Sequence, residues 1–267
     1  MLMTNFLKSR KSVREFKKRK VSIDILEETK LYIKSLEEEA GEGISFKLYE
    51  YGEKLYENLK GIGGYSGVMI EAPHYIGLDL INNEPRSIIY GSYYMEKLIT
   101  KLNTMGLDTC WVSVVDVDKD TKKEVFGSIN GNIDYILAVG HGKARNPFAN
   151  EAFSERIGVD ELVFSDKIGN PVNMEDLENR GLDDLFYYVR FAPSALNKQP
   201  WRFLLGKDKV TLLLKHNKGE KPNLVDAGII MYYFEALGES IGLNSKWKLL
   251  NKEEEKDNYK YIAELSL

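Results

Sequence analysis

Residues 190–201 read Arg190-Phe191-Ala192-Pro193-Ser194-Ala195-Leu196-Asn197-Lys198-Gln199-Pro200-Trp201. Ahead of them Leu182, Leu185, Phe186 and Val189 recur at three- and four-residue spacing, which predicts an amphipathic helix. Pro193 has no backbone N–H and disfavours helical geometry at Ala192, so the helix is expected to stop there. Behind Pro200, the apolar run Trp201-Arg202-Phe203-Leu204-Leu205 predicts a strand. Between the two lies a tight polar loop with Ser194, Asn197 and Gln199. Such a corner can present hydroxyl, amide and backbone N–H groups to a flat polar ligand. It can equally be a connector whose Ser and Asn bond only their own backbone.

The chain around this corner has 267 residues, enough for one large domain or two small ones with a real core. Its 37 basic and 41 acidic residues give a net charge of −4, without the basic excess of a nucleic-acid binder. No apolar run approaches the ~18 residues of a membrane span. The first residues lack the long apolar core of a signal peptide. The single cysteine, Cys110, excludes an internal disulfide and fits a reducing cytoplasm, where the protein is expected.

Residues 10–20 carry seven basic side chains: Arg10, Lys11, Arg14, Lys17, Lys18, Arg19 and Lys20. Lys17 to Lys20 read as a solvated edge. Arg10, Ser12 and Arg14 combine planar cationic forks with a hydroxyl, the donor set a phosphate needs. A helix is expected over 22–40, with Ser22 as N-cap and Glu37 to Glu39 at a solvated end. Strands are expected at 45–51, from 72 onward and at 133–142. Gly61-Ile62-Gly63-Gly64-Tyr65-Ser66-Gly67 lacks the third glycine and the strand–helix context of a dinucleotide fingerprint and reads as a flexible loop. His74, His141 and His216 are scattered, no metal-ligand spacing exists, and Cys110 reads as a buried apolar residue.

The segment Pro193-Ser194-x-x-Asn197-x-Gln199-Pro200-Trp201 resembles a signature of the FMN-dependent nitroreductase family. Arg10-Lys11-Ser12-Val13-Arg14-Glu15-Phe16 is similar to that family's Arg-Arg-Ser-x-Arg-x-Phe segment. Gly106-Leu107-Asp108-Thr109-Cys110-Trp111-Val112 resembles the end of its central helix, with Ser113 and Val114 in place of a glycine pair. Lys143-Ala144-Arg145 resembles its Lys-x-Arg pair. The resemblance implies that Arg10, Ser12, Lys143 and Arg145 hold the phosphate and ribityl region of FMN. It places Arg14 at the pyrimidine edge, Trp111, Val112 and Ser113 near flavin N5, and Pro193, Ser194 and Asn197 against the ring. No side chain stands out as nucleophile or general base; Arg14 is the residue expected to stabilise reduced flavin. The implied reaction moves a hydride from NADH or NADPH to FMN, then electrons to a small-molecule acceptor such as a nitroaromatic or quinone. A flavin sensor or store without turnover, or another flavin reaction, stays open, because function lives in the site.

Residues 226–247 copy 90–111 without a gap: Met95 with Met231, Gly106 with Gly242, Leu107 with Leu243 and Trp111 with Trp247, each pair 136 positions apart. Tyr135-Ile136 echoes Tyr261-Ile262. The expected fold is therefore α+β, nitroreductase-like, with two tandem copies (1–150 and 151–267) forming a pseudo-dimer within the chain. The first copy has the Arg-x-Ser-x-Arg and Lys-x-Arg segments but no Pro-Ser-x-x-Asn loop at 35–44. The second has the loop but not the arginines. In the family, one subunit gives each set, so the complementary losses imply one FMN per chain and a monomer, as in a tandem-repeat branch of the family.

Overall fold

The computed structural model describes residues 3–127, 132–144, 154–251 and 254–267. By its contacts the chain forms two compact units, Asn5–Asn150 and Glu151–Leu267, the latter together with Met1–Thr4.

Helix α1 (Met3–Ser9) leads into an extended arm of the first unit. Then come α2 (Ile23–Ala40), β1 (Ile44–Tyr49), α3 (Gly52–Leu59), β2 (His74–Leu80), α4 (Pro85–Thr104), β3 (Asp108–Ser113), α5 (Lys119–Phe126) and β4 (Ile133–Gly140). The strands form an antiparallel sheet in the order β1-β2-β4-β3. Every residue of β2 is buried, and the strand alternation shows why. Ile76, Leu78, Leu137 and Val139 face a core built with Leu26, Ile33 and Leu36 of α2 and Met95, Leu98, Ile99 and Leu102 of α4. Tyr75, Ile136, Ala138, Cys110 and Val112 face a second core with Leu55 and Leu59 of α3 and Phe126 of α5. The sheet is thus sandwiched between helices. Pro85 starts α4 at a position where its missing N–H costs nothing. Gly91 lets α4 lie close on β2: a Cβ there would come within 2.9 Å of a Leu80 methyl.

The second unit runs α6 (Val159–Leu162), β5 (Val163–Ser165), α7 (Met174–Asn179), α8 (Asp183–Val189), β6 (Trp201–Leu205), β7 (Lys209–Lys215), α9 (Leu224–Glu239), β8 (Lys248–Leu249), β9 (Glu255–Lys256) and β10 (Tyr259–Ser266). Its sheet has the order β5-β6-β7-β10-β8, with β5 parallel to β6, the remaining pairs antiparallel and β9 added on β10. Helix α9 is buried on nearly all its faces, as a helix apolar all round must be. Among the described residues no helix is long and apolar enough to cross a membrane, and no group of His, Cys, Asp or Glu is placed to hold a metal ion.

The helix over 22–40 and the strands fall where periodicity puts them, within one or two residues. Ser22 takes the N-cap position of α2 without a side-chain bond. Glu37 departs from the solvated end expected of it: its carboxylate accepts the Phe46 N–H at 2.7 Å and so anchors β1. His74 is buried and bonded on both sides. Its Nε2 accepts the Val21 N–H at 3.0 Å, so Nδ1 carries the proton and donates to the Glu50 carbonyl at 2.9 Å. Burial, the largest influence, holds its pKa below the usual histidine value. The unfolded chain takes up a proton near pH 6.5 that the folded ring resists, so this contribution to stability is present above that pH and lost as the pH falls below it. Urea unfolding between pH 5 and 8 is expected to show that loss, and His74→Phe is expected to remove this component while lowering stability at pH 8.

Candidate functional site

The arm at residues 10–17 is fixed by backbone pairing. Ser12 bridges Thr109 in parallel, with the Val13 N–H donating to the Thr109 carbonyl at 2.9 Å. Phe16 bridges Gly142, Lys17 N–H donates to the His141 carbonyl at 2.8 Å, and Lys143 N–H to the Glu15 carbonyl at 2.9 Å. Phe16 is buried as the anchor. This pairing brings Ser12, Arg14 and Lys143 to one edge of the first unit. Arg14 and Lys143 are exposed, and among the described residues neither forms an ion pair. Two unpaired cations beside a half-buried hydroxyl fit an anion such as a phosphate. Lys17 to Lys20 are exposed and stay outside this arrangement. Arg145 lies outside the described residues.

Arg10 is placed differently from the expectation of a phosphate ligand. Its side chain is only 5% exposed, and it grips the fully buried Glu96 of α4 with Nε–Oε2 at 3.0 Å and Nη2–Oε1 at 2.9 Å. Trp111 Nε1 donates to the same carboxylate at 2.7 Å. An unpaired carboxylate inside a core is too costly to keep, so Glu96 draws both donors inward. Arg10 therefore acts as a strut under the arm, and Trp111 packs edge-on to Tyr135 at 6.0 Å. Glu96 was not singled out from the sequence, although its spacing from Ile89, Ser92 and Ile99 puts it on the apolar face of α4.

At the end of β3, Val112 is buried and Ser113 exposed. The Val114 N–H is taken by the Asp134 carbonyl at 2.8 Å. The Ser113 carbonyl accepts the Gly64 N–H at 2.8 Å, so the glycine-rich loop expected to be flexible is pinned beside it. Gly64 has φ +80, and a Cβ there would sit 2.1 Å from the Val68 carbonyl oxygen; only glycine fits. Cys110 is buried, and burial raises its thiol pKa, as expected of an inert residue.

The corner 193–200 is tightly braced. Leu196, Asn197 and Gln199 all adopt positive φ, at 52, 55 and 46 degrees, each a strained state without glycine unless the surroundings impose it. They do. Ser194 Oγ accepts the Gln199 N–H at 2.9 Å. Gln199 is buried and ties down Ile157 N–H at 3.1 Å and the Glu155 carbonyl at 3.1 Å. Asn197 accepts from Arg156 Nη1 at 3.0 Å and donates to the Glu155 carbonyl at 3.0 Å. Arg202, paired with Glu161, donates to the Gln199 and Trp201 carbonyls at 3.0 and 2.7 Å. Asp226 accepts the Ala195 N–H at 3.0 Å. The amide of Asn197 is thus engaged within its own unit, while Pro193 and Ser194 are half-buried. Arg156 and Asp226 escaped sequence reading because each works through contacts distant in the chain.

An antiparallel sheet sandwiched between helices, with a basic arm along its edge, and a second sheet carrying a braced polar corner define an α+β protein. A family model described as "Putative TM nitroreductase" matches residues 3–237, and the chain belongs to that nitroreductase family. Its structure is similar to that of a nitroreductase from Thermotoga maritima, with 17% identity, a TM-score of 0.61 and coverage of 99% of this chain and 93% of that one. Weaker likenesses include an FMN-dependent nitroreductase from Clostridium difficile R20291 (19% identity, TM-score 0.44, 55% of this chain and 92% of that one). Nitroreductase A from Vibrio parahaemolyticus is another (13% identity, TM-score 0.48, 69% and 84%). No curated protein matches the sequence.

Removing one member of a buried ion pair strands the other, at about 3–5 kcal/mol. Arg10→Ala and Glu96→Ala are each expected to lose stability in that range in urea unfolding. The double variant Arg10→Met/Glu96→Leu is expected to lose clearly less than either.

Proposed function

We propose that the protein is an FMN-dependent oxidoreductase, using NADH or NADPH to reduce a small acceptor such as a nitroaromatic or quinone. The observation that carries this reading is the cationic edge: Arg14 and Lys143 stand exposed, without ion-pair partners among the described residues, beside Ser12 on a backbone held by pairing. When bound, FMN supplies the hydride-accepting ring. Ser12 and Lys143 hold its phosphate, joined by Arg145. Arg14 would supply a positive charge to offset the negative charge of the reduced ring. Arg10 contributes by fixing the arm. Ser194 and the backbone of 193–197 would offer donors to the flavin, with Asn197 stiffening the corner rather than reaching out from it.

The chain reads as two tandem copies of one unit. The order β6-β7-β10-β8 repeats β1-β2-β4-β3, and α9 follows β7 as α4 follows β2, in step with the 136-residue echo in the sequence. Because the signature segments divide between the copies, one FMN per chain and a monomer follow. A flavin store without turnover is the second reading. It is favoured by Ser113 and Val114 in place of a glycine pair and by the engagement of the Val114 N–H within the sheet.

Anaerobic titration of the purified protein with FMN, then NADH, tests the proposal. Saturation at one FMN per chain with bleaching of the flavin bands is expected; saturation at two would sink the division of donors, and binding without bleaching by NADH or NADPH would select the store. Arg14→Ala and Lys143→Ala are each expected to weaken FMN binding about tenfold, near the worth of one charge-assisted bond.

A further inference from the structure

We infer that Asp226 is the positioning residue of the 193–200 corner: its buried carboxyl holds the Ala195 end of the loop in shape. The inference rests on the flavin reading for its purpose but not for its geometry. Asp226 lies in the first turn of α9 and is 1% exposed. One carboxylate oxygen accepts the Ala195 N–H at 3.0 Å; the other accepts Asn223 Nδ2 at 3.1 Å. Asn223 cannot turn round, because its Oδ1 caps α9 by accepting the Val225 N–H at 3.1 Å. Ala195 immediately precedes the strained residues Leu196 and Asn197, so this bond sits at the point where the chain is bent into them. In the 136-residue echo the position of Asp226 is occupied by Tyr90, in the half that has no Pro-Ser-x-x-Asn loop. The carboxylate and the loop occur together.

Both direct donors to Asp226 are neutral. The charge felt at the carboxylate is that of Lys198 on the loop. From β6, Arg202 is neutralised by Glu161. Behind α8, the guanidinium of Arg190 lies over Tyr187 and Phe191 at 4.3 and 5.1 Å; Asp183 and Asp184 belong to the opposite, first turn of α8. Arg156 is bonded to the Ala192 carbonyl and Asn197. Burial therefore dominates and pushes the carboxyl up to about 7. The neutral form is the one burial favours. Water reaching the group would return it to the ordinary carboxylate value of about 4, so the hold on the loop is fullest below about pH 4 and is lost progressively as the pH rises to about 7.

Hydrogen exchange of the peptide covering 193–200, in flavin-free protein from pH 5.5 to 8.5 and expressed as protection factors, tests this. Wild type is expected to lose about tenfold or more in protection between pH 5.5 and 7 and little more above it. Asp226→Asn, neutral at every pH, is expected to keep its protection with no step, and Asp226→Ala to lose about tenfold throughout while the strands β6 and β7 stay protected. The FMN dissociation constant is expected to follow the loop: about tenfold weaker in Asp226→Ala, near wild type in Asp226→Asn. A wild-type loop with no step, a step that persists in Asp226→Asn, or full protection in Asp226→Ala would overturn the inference. If Asp226→Ala does not fold, the comparison of wild type with Asp226→Asn decides alone. A protein that binds no flavin would remove the proposed function and leave the exchange result standing.

Discussion

A carboxylate without solvent contact survives in a core only if donors surround it, and Glu96 sets that requirement for the first unit. It collects two bonds from Arg10 and one from Trp111, joining the arm, α4 and β3 at one point. Ser12 and Arg14 follow closely on Arg10, and the backbone bridges of the arm to Thr109 and Gly142 continue the same attachment. Such a pair adds little net stability over a well-packed apolar core. What it supplies here is registration: a chain segment with few apolar residues of its own is held in one place against the sheet.

The corner at 193–200 solves the opposite problem. It has to hold a strained backbone rather than locate a loose one. Three residues without glycine's freedom sit at positive φ, and the groups that hold them come from 155–157, from Arg202 in β6 and from Asp226 in α9. Rigid loops of this kind present backbone and hydroxyl donors without an ordering cost on binding.

Much of this architecture is legible in the sequence because it depends on local pattern. The three-and-four spacing of Leu182 to Val189, the stop at Pro193 and the apolar run from Trp201 predict α8, the corner and β6. Apolar runs predict β1, β2, β4 and β6, whereas the other strands of the two sheets carry no such reading. The two signature segments fall on the arm that carries Arg14 and on the braced corner. Individual roles were less legible. Arg10 belongs to a motif, yet its direction is decided by a carboxylate 86 residues away. Asn197 belongs to a motif, yet its amide is taken by Arg156 and the Glu155 carbonyl. Gly64 belongs to a stretch that reads as a flexible loop, yet its N–H is held by the Ser113 carbonyl. Each of these outcomes is a long-range bond, and periodicity carries no information about those.

The two sheets end in different ways. In the second unit β5 lies parallel on β6, and the far end is the two-residue β8. In the first unit β1 lies at one end and carries the exposed Lys47 in its middle, a charge that discourages pairing with a further strand. The other end, β3, is touched along its outer side by the arm at Thr109. The arm therefore has a second job besides bearing cations. It occupies a backbone ladder that would otherwise be open, so detaching it would turn a binding defect into a surface on which the strand of another chain could assemble.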